Sequence, residues 1–317
     1  MPETGTRSRH GVPPDQRDMK EYLRKGIIVI DKPRGPTSHQ ISAWVRNMLG
    51  AEKAGHGGTL DPNVSGVLVI ALDDALKALQ VLLLDTKEYV ATLKLHAEVP
   101  RKELDRIFSE FTTEVYQTPP VRAAVKRERR ARRIHEMEIL DIRDKSVLFR
   151  VVCESGTYIR TLCVDMGDAL GVGGHMYELR RTRTAVFGES SLVRLHELMD
   201  AFVAYKEEGD ESYLRKLVLP FERLLDGLPK VYIKDSAVDA ICHGADVAVP
   251  GITRLEGDFK LGQTVAVFTQ KGEGIAVGKA LEESSKMRTM QKGAAVNLER
   301  VFMAPGTYPR QWKHNEK

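Results

Sequence analysis

Apolar and polar positions change period several times along the chain. Residues 26–31 (GIIVID) are a short β-branched run and predict a strand. Thr37, with Gln40 three residues on, has the form of a capping box. Ile41, Trp44, Val45, Met48 and Leu49 then recur at helical spacing up to Gly50, which predicts a helix with one apolar face. Residues 66–72 read as a second strand, and Ala75, Leu79, Leu82 and Leu83 give helical spacing over 74–84. From Lys87 the period becomes two. Tyr89, Ala91, Leu93 and Leu95 share one face, while Glu88, Thr92, Lys94 and His96 face away. Residues 147–153 predict another strand. Gly156 then leads into a helix whose apolar face is Ile159, Leu162, Cys163, Met166 and Leu170. Arg160 lies one residue off that face, at the helix N-terminus, where a cation opposes the macrodipole and a specific partner is expected. Residues 195–205 and 213–225 read as helices broken at Gly209. From Pro229 short β runs between glycines (246–249, 264–269, 275–280) predict a second, β-rich domain. Residues 1–20, with three prolines among polar positions, read as a tail, loose or draped on the body.

One stretch fits none of these periods. In 55–62 (GHGGTLDP) three glycines precede a single acid. Glycine permits tight turns and close approach of another molecule, and the proline after Asp61 biases it towards an extended or turn conformation. Asp61 is therefore either a capping residue of a turn or a carboxylate on a stiff loop beside open space. Tyr89 is likewise either a core tyrosine or a ring facing a ligand.

Composition narrows the class. A 42% hydrophobic and 29% charged chain of 317 residues is an ordinary globular protein with room for two domains. No run approaches the ~18 apolar residues of a membrane span, and 1–19 lacks a signal-peptide core. Three scattered cysteines without a CxxC fit a reducing cytoplasm and offer neither a zinc nor a disulfide framework. Neither a phosphate-binding GxxxxGK[ST] loop nor a dinucleotide fingerprint is present, so no metal and no cofactor is expected. The net charge of +4 leans towards an anionic partner. Its distribution says more: seven of the twelve residues 122–133 are Arg or Lys. That run is either a solvated face or a phosphate-binding segment. Arg180, Arg181 and Arg183 make a second basic cluster.

In this order, the blocks GIIVIDKPRGPTSHQISAWV, GHGGTLDPNVSGVLVIAL, KEYVATLKLH, QTPPVRAAVKR, ESGTYIRTLCVDMGDALGVGGHMYELRRTRTAVF and YLRKLVLPFERLLDGLPKV resemble the dyskerin-like, archaeal branch of the TruB family of RNA pseudouridine synthases. HGADVAVPGI and GIAVGKAL resemble a PUA RNA-binding domain. The likeness covers roughly residues 20–305. Gln40 stands where Glu is common, Val69 replaces a frequent proline, and Gly57 stands where archaeal relatives often carry Ser. None of these removes a group the chemistry needs. The resemblance implies an α+β fold: a mixed, mostly antiparallel sheet with flanking helices over 21–228, and a small β-barrel-like PUA domain over 229–305. It also implies an N-terminal tail (1–20) packed on the PUA domain and a C-terminal tail (306–317).

It further implies isomerisation of uridine to pseudouridine within RNA. Asp61 matches the essential carboxylate, which adds to sugar or base as a nucleophile or removes a sugar proton as a base. Tyr89 matches the tyrosine that stacks on the target uracil, and Arg160 the arginine that pairs with the carboxylate. Tyr158 and Leu179 match residues walling the pocket, and His56 the histidine that fills the space of the flipped nucleotide. Lys32 and Pro33 match a motif that supports the fold near the loop. Arg122, Lys126, Arg127, Arg129 and Arg130 fall on the loop that clamps RNA, with Arg180, Arg181 and Arg183 expected to line the same groove. The implied partners are a box H/ACA guide RNA, substrate rRNA or tRNA, and three small proteins: a zinc-ribbon, a β-barrel and a kink-turn binder. A membrane is not among them, and nothing points to a homo-oligomer. The competing expectations are a stand-alone synthase for the tRNA T-loop uridine and a non-catalytic H/ACA RNA scaffold.

Overall fold

The computed structural model describes residues 10–118 and 128–310. Up to residue 220, the described residues build one large sheet with helices against it. In chain order the elements are α1 (Met19–Arg24), β1 (Gly26–Lys32), α2 (Ser38–Leu49), β2 (Ala54–His56), β3 (Ser65–Leu72), β4 (Lys87–Leu95), α3 (Arg101–Phe111), β5 (Glu114–Gln117), β6 (Arg130–Arg143), β7 (Ser146–Cys153), α4 (Ile159–Ala169), β8 (Gly174–Thr184), β9 (Phe187–Gly188), α5 (Leu195–Glu208), α6 (Leu214–Leu217) and β10 (Leu219–Pro220). The strand order is β10-β1-β3-β8-β4-β7-β6-β5, with β2 on β3 and β9 on β8. Every pairing in this sheet is antiparallel except β3 with β8. A second, six-stranded sheet follows. It uses β11 (Lys230–Ile233), β12 (Val247–Ala248), β13 (Ile252–Glu256), β14 (Thr264–Thr269), β15 (Gly274–Ala280) and β16 (Ala294–Val301), in the order β12-β16-β15-β14-β11-β13. This is the mixed α+β architecture expected. Among the described residues no helix is long and apolar enough to cross a membrane.

Three cores explain the hydrophobic pattern. The run in β3 does not alternate because both of its faces are covered. Leu68, Ile70 and Leu72 enter the main core under α2 and α4. Val67, Val69 and Ala71 enter a second core, shared with Phe221, Leu224 and Leu225 and with Ala266, Phe268, Val277 and Phe302 from the second sheet and just beyond it. The third core lies between the second sheet and the segments packed on it, among them Val238, Ile241 and Met287. In β4 the period of two holds along its whole length, with Lys87 on the buried side beside Tyr89 and Ala91.

The α2 capping box forms as expected: Gln40 N–H donates to Thr37 Oγ1 at 3.1 Å, and Thr37 N–H to Gln40 Oε1 at 2.8 Å. The buried face of α2 is Ser38, Ile41, Ser42, Val45 and Leu49, so Trp44, expected inside, stays 42% exposed. Residues 73–84 are 3-10 turns rather than an α-helix. Ala75, Ala78 and Val81 recur every third residue and bury together, which is the 3-10 period. The helix expected over 213–225 stops at Leu217, because Pro220 has no N–H to continue it. Leu219 and Pro220 instead pair at the sheet edge with Ile27 and Gly26.

The N-terminal segment is tied to the turn between β14 and β15 and to the turn that follows β10. Val12 N–H donates to Glu273 Oε1 at 3.2 Å, and Lys271 Nζ to the Gly11 carbonyl at 2.8 Å. Arg17 forms a two-bond pair with Glu222, at 3.0 and 2.5 Å, and both side chains are buried. Glu222 Oε1 also accepts from Gly274 N–H at 3.2 Å. A buried pair broken on one side strands the remaining charge. Arg17→Met should therefore lower stability by about 3 kcal/mol. Urea unfolding monitored by tryptophan fluorescence checks this; an unchanged midpoint would show that the pair holds nothing.

Candidate active site

The Asp61 loop runs from β2 to β3 and is fastened at nearly every residue. Gly57 N–H donates to the Val69 carbonyl at 2.9 Å. Ser38 Oγ, inside the first turn of α2, bonds the Leu60 carbonyl at 3.0 Å and accepts from Leu60 N–H at 2.9 Å. Gly35 N–H reaches the Pro62 carbonyl at 2.8 Å. Lys32, fully buried at the end of β1, donates from Nζ to the carbonyls of Pro33, Pro62 and Val64 at 2.9, 3.1 and 2.7 Å. From the other side Arg181, 2% exposed, donates Nη2 to the Gly58 carbonyl at 3.1 Å and Nε to the Val67 carbonyl at 2.7 Å. Two glycines make this possible. Gly58 turns the loop at φ +107°. Gly66, at φ +104°, lets β8 approach: a Cβ there would lie 2.1 Å from the Arg181 carbonyl oxygen.

Asp61 rises from this frame with its side chain about half exposed, and Arg160 Nη2 pairs with its Oδ2. Arg160 is the second residue of α4 and equally open. A pair this exposed contributes at most about 1 kcal/mol to stability. Its effect is to aim the carboxylate.

Close by lies Tyr89, 8% exposed, with the Arg181 guanidinium near its hydroxyl. Burial pushes its pKa up, and Arg181 acts the other way. Leu179, 8% exposed, pairs with Ala91 in register and continues the same wall. Tyr158, half-buried, caps α4. Its backbone N–H and carbonyl are both held by the Gln117 side-chain amide, at 2.9 and 3.1 Å. His56 sits at the end of β2 with its ring 4.9 Å from that of His39, edge-on. Burial, then His39 and Arg181, lower its pKa. Its Nδ1 is buried without a hydrogen-bond partner. The pKa of Lys32 is lowered by burial, against the opposing pull of Asp61. The arrangement offers a half-exposed carboxylate aimed by a guanidinium, with a buried tyrosine nearby. Such a carboxylate can act as nucleophile or as base.

The basic residues divide differently from expectation. Arg181, 2% exposed, does not line a groove: it donates to the carbonyls of Val67 and Gly58 inside the protein. Arg180 faces the opposite side of β8, where it pairs with Asp31 at 3.0 Å and Glu189 at 2.6 Å. Arg183 also points to that side, 3.5 Å from Glu88. Alternation along the strand separates Arg180 from Arg181, and an irregular register against β4, where Glu88 and Tyr89 pair with Arg183 and Arg181, turns Arg183 outward as well. Within 122–133, Arg130 to Arg133 are strand residues of β6 paired with β5, not a loop. Arg129 and Arg130 are exposed, and the Arg129 guanidinium lies 5.2 Å over the Tyr116 ring. Arg122, Lys126 and Arg127 lie outside the described residues. Pro33 is exposed and serves through its carbonyl.

The sequence reading missed Ser38, Gln117 and Lys87. Ser38 and Gln117 act on partners 22 and 41 positions away, which no local period reveals. Lys87 was visible in the parity of β4. It is 3% exposed, and its Nζ donates to the carbonyls of Leu82 and Asp85 at 2.6 and 3.1 Å. Burial, with Arg181 adding to it, lowers its pKa to about 8.

Comparison with known proteins gives four adjoining matches. A model described as the DKCLD (NUC011) domain matches residues 2–42, and one described as the TruB family pseudouridylate synthase N-terminal domain matches 46–159. The tRNA pseudouridylate synthase B C-terminal domain matches 160–226 and the PUA domain 229–302. The chain is 51% identical over 314 residues to the probable tRNA pseudouridine synthase B of Methanocaldococcus jannaschii, covering 99% of this chain and 94% of that one. The protein of the same description from Methanopyrus kandleri is 51% identical over 310 residues, covering 98% and 92%. Among solved structures, the chain resembles one in a Cbf5-Nop10-Gar1 complex (TM-score 0.88, 50% identity, 95% and 92% covered). It also resembles one in an H/ACA RNP bound to a substrate RNA containing 2′-deoxyuridine (TM-score 0.87, 48% identity, 96% and 93% covered).

Lys87 gives a pH signature. The unfolded lysine keeps its proton to about 10.5 and the folded one only to about 8, so the unfolded state binds more protons between those values and stability rises with pH there. Relative to Lys87→Met, the wild type should gain roughly 2–3 kcal/mol from about pH 7.5 to about pH 10. Denaturant midpoints at both pH values decide this; a constant difference would refute it.

Proposed function

The chain belongs to the TruB family of pseudouridylate synthases, and we propose that its active centre is Asp61, Tyr89 and Arg160, working on uridines selected by a box H/ACA guide RNA. The observation that carries the reading is the half-exposed Asp61–Arg160 pair on a loop fastened from both sides by buried cations. The reaction breaks the N1–C1′ bond of uridine and forms C5–C1′; C5 gives up its proton to solvent and N1 takes one up. Asp61 acts on sugar or base as nucleophile or as general base. Arg160 keeps its carboxylate aimed and Tyr89 stacks on the uracil, with Tyr158 and Leu179 as side walls. His56 fills the gap left by the flipped nucleotide, whose unstacking costs a few kcal/mol. Arg129 and Arg130 meet RNA phosphates from the β5–β6 ribbon, together with the basic residues of 119–127. Lys32 and Pro33 are supports of the loop.

In this reading the PUA domain, matched over 229–302, holds the guide RNA. Base pairing then reads sequence while the protein reads shape. Two similar chains were solved in assemblies with Nop10 and Gar1 and with H/ACA RNA. On that likeness the small H/ACA proteins are partners here too. The name shared by the curated relatives favours a second substrate, the tRNA T-loop uridine, taken without a guide. A cytoplasmic location agrees with three buried cysteines, all free.

Release of tritium from RNA labelled at uridine C5 tests the reading. With a matched guide and the partner proteins, release should be fast, and Asp61→Asn should cut it by at least about 1000-fold with RNA binding kept. Release from bare tRNA alone would favour the second substrate. Release that persists in Asp61→Asn would remove Asp61 from the chemistry.

A further inference from the structure

Gln117 ends β5, and its side chain is the inward one: it is 2% exposed, while Glu114 and Tyr116 face solvent. Its amide behaves as an added backbone partner. Oε1 accepts from Tyr158 N–H at 2.9 Å and Nε2 donates to the Tyr158 carbonyl at 3.1 Å. Only one orientation of the amide, and only a side chain with both a donor and an acceptor, satisfies the two together. The site is set where α4 begins. Tyr158 is the N-cap residue, its own side chain makes no capping bond, and its carbonyl accepts from Leu162 N–H at 3.0 Å. Whatever fixes the Tyr158 backbone therefore fixes the first turn of α4, and Arg160 is two residues on. The backbone of Gln117 is meanwhile paired in register with Arg130 of β6. The ribbon that carries Arg129 and Arg130 and the turn that carries Arg160 meet at this one amide.

We infer that Gln117 is a positioning residue that transmits the placement of the basic β5–β6 ribbon to Arg160, and so sets Arg160 against Asp61. The inference rests on Asp61 and Arg160 being the active centre. Packing alone would not need an amide here, because a side chain of the same length without polar atoms would fill the space. A buried backbone N–H and carbonyl left without partners would instead be costly, and the turn would shift to rehydrate them. A displacement of about 1 Å at a catalytic group lowers rate by up to about 100-fold. The Gln117 side chain is 2% exposed and offers no surface of its own to RNA, so its loss should slow the chemical step and spare RNA affinity.

The test compares Gln117→Glu and Gln117→Met in the full chain, assembled with guide RNA and partner proteins. Single-turnover tritium release and RNA binding are measured from about pH 8 to about pH 5.5. Protonated Glu has the donor and the acceptor of Gln, whereas the carboxylate repels the Tyr158 carbonyl. Burial raises the pH at which that proton is held. Expected is release slowed about 10- to 100-fold in Gln117→Glu at the upper pH, with unchanged RNA affinity and a ratio to wild type that climbs towards one as pH falls. Gln117→Met should be slow at every pH. Wild-type rates in Gln117→Met, or a Gln117→Glu ratio that does not change with pH, would overturn the inference. Amide hydrogen exchange of 158–160 supplies an arm that needs no turnover: Gln117→Met should exchange faster there, and unchanged exchange counts against the clamp. An inactive wild type, or an active Asp61→Asn, would instead break the reading of the active centre, and the exchange arm would still decide whether Gln117 holds Tyr158.

Discussion

A buried ammonium group is the constraint on which the rest depends. Lys32 has no exposed surface, and its three donors end on the carbonyls of Pro33, Pro62 and Val64. Burying such a charge is costly unless every donor is met. Meeting them requires the end of β1, the entry to α2 and the stretch just after Asp61 to converge on one point. Arg181 repeats the device from β8, with its donors on Gly58 and Val67. Neither cation bonds to the carboxylate. The loop is held through its backbone, and the acid it presents is left to Arg160 and to a ligand.

The same economy appears in the partition of arginines. Strand alternation sends Arg181 inward and Arg180 outward, and the register shift at Thr182 sends Arg183 outward too, although they are near neighbours in sequence. Outward, they join a polar network with Asp31, Glu189 and Glu88, in which Glu88 also pairs with Arg150 at 3.0 Å. The reverse face of the sheet is thus stiffened by ion pairs, and the face beneath Asp61 by apolar packing around Tyr89 and Leu179.

How far the chain could be read without a structure follows from the range of each interaction. The Thr37–Gln40 cap and the parity of β4 depend on residues within a few positions, and both were legible. So was Arg160, as a cation where the helix dipole disfavours one. Asp61 stood out through its glycines, which local sterics demand. Ser38, Gln117 and the inward turn of Arg181 were not legible, because their partners belong to other strands and helices. Trp44 misled because apolar spacing alone does not reveal that Ser38 and Ser42 take the position closest to the sheet. The stretch 213–225 misled because its helical spacing hid a proline at a sheet edge.

The second core is shared. Val67 and Val69 lie in the strand that leaves the Asp61 turn, and they belong to the same buried cluster as Phe268, Val277 and Phe302. Close-packed interiors are not freely deformable, so two bodies that share one cannot swing past each other. The interval between the far sheet and the carboxylate is then a molecular constant, as in a caliper whose jaws have been welded. An RNA gripped at the far jaw would present the nucleotide that stands at that interval and pass over its neighbours. Selection of a position along the strand would then be a matter of length, built into hydrophobic packing at a point that no RNA needs to touch.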